Sequence, residues 1–394
     1  MRFNEAYEIC LKKAYIHTEK MRGEAYELPA CTDGDYYAHP MGLPVGNFWS
    51  WTPSFVTGFA PIAYETHHDG KFLKWANSFA GKYRAKVFDT PLKSMHDLGF
   101  IYLPYSVALW KLTGDENHRN TAVKAADELV KRFCIKGRYI EAWSEMDNPE
   151  KSCRAIVDTM MNLPLLLWAW KETGHTFYYD VATACLDTVL KNYLRDDGSV
   201  CHAFIFDDKT GEVKEEANSC GFSNGSHWAR GTGWFVYGMS IAYEYTGDKR
   251  YLDAAEKAGH KFVECLTEDD KIPVWDFRLP EDKPAHSFRP GGEEAPFWDE
   301  SKAENKKLNR DASAAAVMVC AFQLLYRQTN DDFYKSSYLE LLQTLCDKYL
   351  DTDENLPGMI KCTNGRMEYS TYGDYYFMQA LARELYGISV CWHD

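Results

Sequence analysis

Five stretches of this chain close an apolar run with nearly the same words. They are AYETHHDGKF (63–72), LWKLTGDENH (109–118), AWKETGHTFY (169–178), AYEYTGDKRY (242–251) and LYRQTNDDFY (325–334). Each reads as an apolar helix, a threonine with Gly, Asn or His, a polar turn, and then an amphipathic helix such as LDAAEKAGHKFVECL (252–266). Gly or Asn just past the last apolar turn is a helix stop, so each word predicts a tight helix–helix connection. The shared threonines stand at 66, 113, 173, 246 and 329, spaced by 47, 60, 73 and 83 residues. One connection is therefore uniform and the opposite one varies in length. A sixth apolar helix is expected at the end, YGDYYFMQALARELYG (372–387), with the N-terminal FNEAYEICLKKAYIHTEKM (3–21) as its amphipathic partner. Six apolar inner and six amphipathic outer helices, the first helix supplying the last pair, predict an all-α chain closed as an (α/α)6 barrel, with 1–394 as one domain. An open helical array is the rival that the repeat alone leaves standing. Strand-like words such as GSVCHAFIFDDKTGEV (198–213) are few and are expected as excursions on the long-loop face.

Composition removes several function classes. With 394 residues, 45% hydrophobic, the chain can bury a large core, yet no apolar run reaches the roughly 18 residues that span a bilayer. The opening MRFNEAYEICLKKAYIHTEKM lacks the apolar core of a signal peptide. The 12 cysteines form no CxxC pairs and several lie in helix-like runs, so a reduced, cytoplasmic chain is expected. A formal net charge of −14 without a basic stripe argues against nucleic acid, and obliges any anionic substrate to find a local positive patch. Twelve Trp and 26 Tyr suit either a large core or a surface for ring-shaped ligands.

The word VDTMMNLPLLLWAW (157–170) puts Asp158 at the head of a segment apolar nearly all round. An acid there either caps backbone N–H groups or works in a cavity where the helix begins. It has company. Inner helices are expected to start near MHDLGF (Asp97), VDTMMN (Asp158), HWARGTGW (Arg230), RDASAA (Asp311) and YGDYYF (Asp374), with NFWSWTPSFVTG (47–58) opening the first. All share the end of the barrel opposite the uniform turns, the end where loops carry function. Asp311 and Asp374 read mainly as caps. His67, His68 and Asp69 fall in a uniform turn and read as solvated; no metal site, glycine-rich phosphate loop or GxSxG elbow is expected, and no cofactor.

Six words taken in order, FWSWTPSFVTGFA, MHDLGF, VDTMMNLPLL, SHWARGTGWFVYG, RDASAAAVMVCAF and YGDYYFMQAL, resemble the unsaturated glucuronyl hydrolases of glycoside hydrolase family 88 over roughly residues 45–385. The related unsaturated rhamnogalacturonyl hydrolases share the barrel; DTMMNLP with HDLGF resembles the glucuronyl group more closely. The resemblance implies Asp158 as catalytic acid/base and Asp97 as its partner carboxylate. It implies Trp51, Trp143, His202, Arg230 and Trp234 as lining of the sugar pocket. Cys220 stands where the family places a glutamine, and IKCTNGRMEYS (360–370) lacks the spacing of a sulfate-reading motif found in some members; both departures point away from a sulfated glycosaminoglycan. The implied substrate is the 4,5-unsaturated uronic acid that lyases leave at a non-reducing end, hydrated at C4=C5. Protonating carbon needs a donor still protonated near neutrality, whereas an aspartate titrates near 3.9; a second carboxylate and indoles that exclude water would raise it. Arg230 would take the substrate carboxylate and His202 would bind near the reacting carbon or place the water. An inverting glycosidase with two acids and a non-catalytic carbohydrate-binding barrel are the readings left open.

Overall fold

The repeated threonine word is one hydrogen-bonded device. Thr113, Thr173, Thr246 and Thr329 each donate through the hydroxyl to the carbonyl four residues back, at 2.7–2.8 Å. The same oxygens accept the N–H two residues on, from Asp115, His175, Asp248 and Asp331. The residue after each threonine closes its helix in the left-handed region (Gly114, Gly174 and Gly247 at φ 68–75°, Asn330 at 55°), which favours glycine and tolerates asparagine. The next aspartate then caps the following helix: Asp69, Asp115, Asp248 and Asp331 each accept the N–H two residues ahead.

The structure, a computed structural model, describes all residues except 24–27, 39–49, 149, 219, 222, 269, 279–309, 362–368, 391 and 393–394. Helix α1 spans Phe3–Lys20, α2 Pro53–Thr57, α3 Phe59–His67, α4 Gly70–Asn77, α5 Ala80–Phe88, α6 Leu98–Tyr102 and α7 Ala108–Thr113. Then come α8 Glu116–Val130, α9 Leu163–Thr173, α10 Thr176–Asn192, α11 Ala229–Thr246, α12 Lys249–Glu264, α13 Ala312–Thr329, α14 Asp332–Thr344 and α15 Thr371–Tyr386. A π-turn over Leu103–Val107 joins α6 to α7. The inner helices pack in a closed succession: α3 with α7, α6 with α9, α9 with α11, α11 with α13, α13 with α15, and α15 back onto α2 and α3. Helix α1 lies against α15 and α3, the place left for a sixth outer helix. The fold is an (α/α)6 barrel, and the open array is excluded. The interior is buried along whole helices, as in α13, where Ala312–Leu325 are all buried.

Three strands, Arg154–Ile156, Ala203–Phe206 and Val213–Glu216, make an antiparallel sheet in the long connections, on the side that the strand-like words predicted. One boundary differs from expectation. The helix at VDTMMN does not begin at Asp158: Val157–Met161 forms a 3-10 turn and the α-helix starts at Leu163. Pro164 explains this, since proline fits a first helical turn, where its missing N–H has no partner to lose. No described helix is long and apolar enough to cross a membrane.

Candidate functional site

The acids of the two barrel ends behave differently. At the uniform turns the aspartates are spent on capping. At the other end Asp97 occupies the N-cap position of α6 with no capping hydrogen bond from its side chain. Asp158 sits in the 3-10 turn, and its Oδ2 is buried without a hydrogen-bond partner. Neither carboxylate is spent on capping a helix.

What brings them together is a close backbone approach. A Cβ on Gly99 would lie 2.4 Å from Asn162 Cα and 2.5 Å from the Met161 carbonyl oxygen, so only glycine lets α6 abut the turn that carries Asp158. Asn162 locks the junction: its Oδ1 accepts from Gly99 N–H (2.8 Å) and Phe100 N–H (3.2 Å), while its Nδ2 donates to the Asp158 carbonyl (3.0 Å). On the far side Gly238 of α11 meets the Met160 carbonyl oxygen at 2.4 Å from an added Cβ. The turn is clamped between two glycines.

The surroundings raise both acids. Burial pushes Asp97 up to about 7 against the opposing pull of Arg132 and Lys86. Asp158 is pushed up to about 7, mainly by burial and further by the Asp97 charge, with Arg230 opposing. Their side chains keep 12% and 17% of their surface, enough to meet a ligand. His202 is placed by strand pairing, its carbonyl accepting Val157 N–H at 2.8 Å, which sets its Nε2 3.7 Å from Asp158 Oδ2. Burial drives its pKa down to about 3, so the ring is neutral.

Sequence reasoning passed over His96, although it stands in the quoted word MHDLGF. Buried and neutral, its pKa pushed down to about 3, it accepts Trp143 N–H on Nδ1 at 2.9 Å. Nε2 therefore carries the proton, and it lies 3.2 Å from Asp97 Oδ1. One imidazole thus holds the aromatic wall on one side and faces an acid on the other, its Nε2 making no hydrogen bond among the described residues. Trp143 and Ser144 both take positive φ, 55° and 51°, a strained pair for such side chains; Arg132 Nη2 donates to the Trp143 carbonyl and helps hold it.

Arg230 lies between two rings, its guanidinium carbon 4.9 Å from the Trp228 centroid and 4.7 Å from that of Tyr372. Its Nε is 3.5 Å from Asp311 Oδ2, and Asp311 also caps α13 through Ala314 N–H. Asp311 is thus a cap, as expected, and a partner for Arg230 as well. Trp51 stacks on Tyr372 at 5.3 Å and 26°. Trp234 sits one layer down, 1% exposed, edge-on to Phe100. Cys220 is half-buried in the loop entering α11, its N–H donating to Asn218. Asp374 corrects the capping expectation: Ser370 caps α15, and Asp374, fully buried, accepts N–H groups from Met359 and Ile360 at 2.9 Å and the Tyr36 hydroxyl at 3.2 Å. His68 ends α3 and His67 stacks on Tyr7, within the first uniform turn. Trp49 and most of IKCTNGRMEYS lie outside the described residues. Among the described residues no three His, Cys, Asp or Glu side chains are gathered to hold a metal ion.

Residues 26–269 match Glycosyl Hydrolase Family 88. The chain is 30% identical to an unsaturated chondroitin disaccharide hydrolase of Streptococcus pneumoniae, over 91% of this chain and 86% of that protein. This chain belongs to glycoside hydrolase family 88. Within the family it is 28% identical to the unsaturated glucuronyl hydrolase of Bacillus sp. strain GL1, over 87% of this chain and 88% of that one. The crystal structure of the Bacillus enzyme superposes with a TM-score of 0.84 at 26% identity, covering all of this chain and 99% of the other. The Streptococcus agalactiae unsaturated glucuronyl hydrolase gives 0.83 at 27% identity, covering 98% and 93%. Family membership makes the chain a glycoside hydrolase; the readings as a non-catalytic barrel or an inverting glycosidase are not favoured.

Proposed function

We propose that this hydrolase releases the 4,5-unsaturated glucuronic acid from the non-reducing end of lyase-generated oligosaccharides by hydrating the C4=C5 enol ether, with Asp158 as proton donor and Asp97 as its partner. The observation that carries the reading is the pair of acids left uncapped and pushed up to about 7 at one backbone junction. A carboxyl with that value is about half protonated at neutral pH, far more than an ordinary aspartate, and can give its proton to carbon. Asp158 protonates C4, and the positive charge develops at C5 and the ring oxygen. Water adds to C5 and returns a proton to the Asp158 carboxylate. The resulting hemiketal opens at C5, leaving a keto group there and a hemiacetal at C1 that expels the aglycone as an alcohol.

The neighbours fit this course. The neutral His202 ring can hydrogen-bond to substrate or to the water beside Asp158. Arg230, its plane held between Trp228 and Tyr372, offers a fork suited to the uronate carboxylate. It also supplies the local positive charge that a chain of net charge −14 requires. Trp51 and Trp143 offer faces for the sugar's C–H surface; Trp234 backs the floor through Phe100. Cys220 is assigned to the surroundings of the next sugar. The whole chain is taken as one catalytic domain, because α1 completes the ring that carries the site. A cytoplasmic location accords with the free thiols of all described cysteines.

The test is loss of the enol ether's ultraviolet absorbance when the protein meets lyase products of hyaluronan, chondroitin, heparin, gellan, xanthan and pectin. Asp158→Asn should lower turnover by about 10²–10⁴-fold while oligosaccharide binding persists. Wild-type cleavage of saturated chains, or full activity in Asp158→Asn, would overturn the assignment.

A further inference from the structure

Among the described residues, the charge balance near the acid pair leaves the Arg154 guanidinium over. Arg230 is answered by Asp311 and faces the place proposed for the uronate carboxylate. Arg154 is different. It stands on the strand that runs into Asp158, half-buried, its guanidinium 4.8 Å over the Trp143 ring. Among the described residues its side chain has neither an ion pair nor a hydrogen bond. Glu141, on the segment that pairs with Arg154 through the Ala142 N–H, is otherwise engaged: Oε1 accepts Cys153 N–H and the Ser152 hydroxyl, and Oε2 faces Lys151 at 3.9 Å.

A partly desolvated cation without a counter-charge is costly, and a chain with 58 acidic residues had ample means to answer it. A cation–π contact with an indole engages the guanidinium through its charge and uses none of its N–H donors, the part that recognises oxyanions. The position is specific as well. At roughly 3.3 Å per extended residue, Arg154 begins about 13 Å or less from Asp158, a reach suited to the sugar beyond the reacting ring. His202, beside Asp158, lies within electrostatic reach of both Arg154 and Arg230.

We infer that Arg154, braced on Trp143, binds an anionic substituent on the leaving sugar, a carboxylate or a sulfate ester, and sets a preference for acid-bearing over neutral aglycones. This rests on the reaction proposed above. Relatives are described with chondroitin disaccharides and, in one solved structure, with heparin specificity, so leaving sugars differ within the family.

The experiment compares three unsaturated glucuronyl disaccharides whose second sugar is neutral, sulfated or itself a uronic acid. Wild type should favour one acid-bearing substrate over the neutral one by tenfold or more in kcat/KM, and the arm that wins identifies the anion. Arg154→Gln should collapse that ratio toward one, mainly through KM, and Arg154→Lys should restore part of it. A uniform loss on all three substrates would mean that Arg154 only braces Trp143, and absence of any wild-type preference would also overturn the inference. Calorimetric binding of the same three disaccharides to Asp158→Asn and to the Asp158→Asn, Arg154→Gln double variant decides the question independently of turnover. If no disaccharide loses its double bond, the proposed reaction falls, and selective loss of anion binding in the double variant still upholds Arg154.

Discussion

An aspartate at the start of a helix usually spends its carboxylate on backbone N–H groups, and this chain shows both outcomes. Asp115, Asp248 and Asp331 cap; Asp97 and Asp158 do not. Sequence words give the same residue type in both settings, so the difference was legible only through the resemblance and then through geometry. His96 and Asn162 were present in the quoted words, yet nothing in their spacing announces that one faces an acid and the other clamps two backbones. Asp374 looked like a cap and proved to be a buried anchor for residues 359–360, because its helix start faces a loop from elsewhere in the chain. For the acid pair the sign of the pH dependence follows from the raised values. A donor with a pKa of about 7 is protonated below that pH, so the rate falls as pH rises through it. Asp97→Asn removes a negative charge that helps raise Asp158, so the alkaline limb of the kcat/KM profile should move to lower pH. A limb that stays put in an active Asp97→Asn enzyme would separate the two acids.

Among the helices, the uniform turns were the most readable parts and the working end the least. The threonine word specifies its own connection with local hydrogen bonds, a left-handed stop and a capping aspartate, all within the nine residues 242–250. The 3-10 turn at Val157–Met161 depends on contacts from α6 and α11, far apart in sequence, which no local pattern encodes. Substitutions should reflect that division. Asp331→Ala should cost about 0.5–2 kcal/mol of stability, with turnover retained, since it caps α14 at the end away from the acids. Gly99→Ala forces a methyl into Asn162 and should cost about 1–3 kcal/mol, and it should also lower kcat by moving Asp97 relative to Asp158. Urea unfolding and steady-state kinetics on the two variants check this; equal kinetic effects would contradict the assignment of the clamp.

Closure of the barrel joins the two chain ends. Lys13, buried in α1, donates to three carbonyls, those of Asp353, Leu356 and Gly358, at 2.7–2.8 Å. That loop continues to Met359 and Ile360, which bind Asp374 of α15. Lys13→Met should therefore leave several buried acceptors unmet and destabilise the fold by about 3 kcal/mol, seen as a lower Tm; an unchanged Tm would mean that α1 is dispensable to the ring. The helical class, the six pairs and the end at which loops gather were fixed by local signals, because apolar period, glycine stops and threonine turns act over a few residues. The resemblance named the acids. Which aspartate caps and which stays free, which histidine faces an acid, and which arginine goes unanswered among the described residues were set when the ring closed. Desolvation and charge pairing depend on neighbours brought from distant helices, and no stretch of sequence carries its own surroundings.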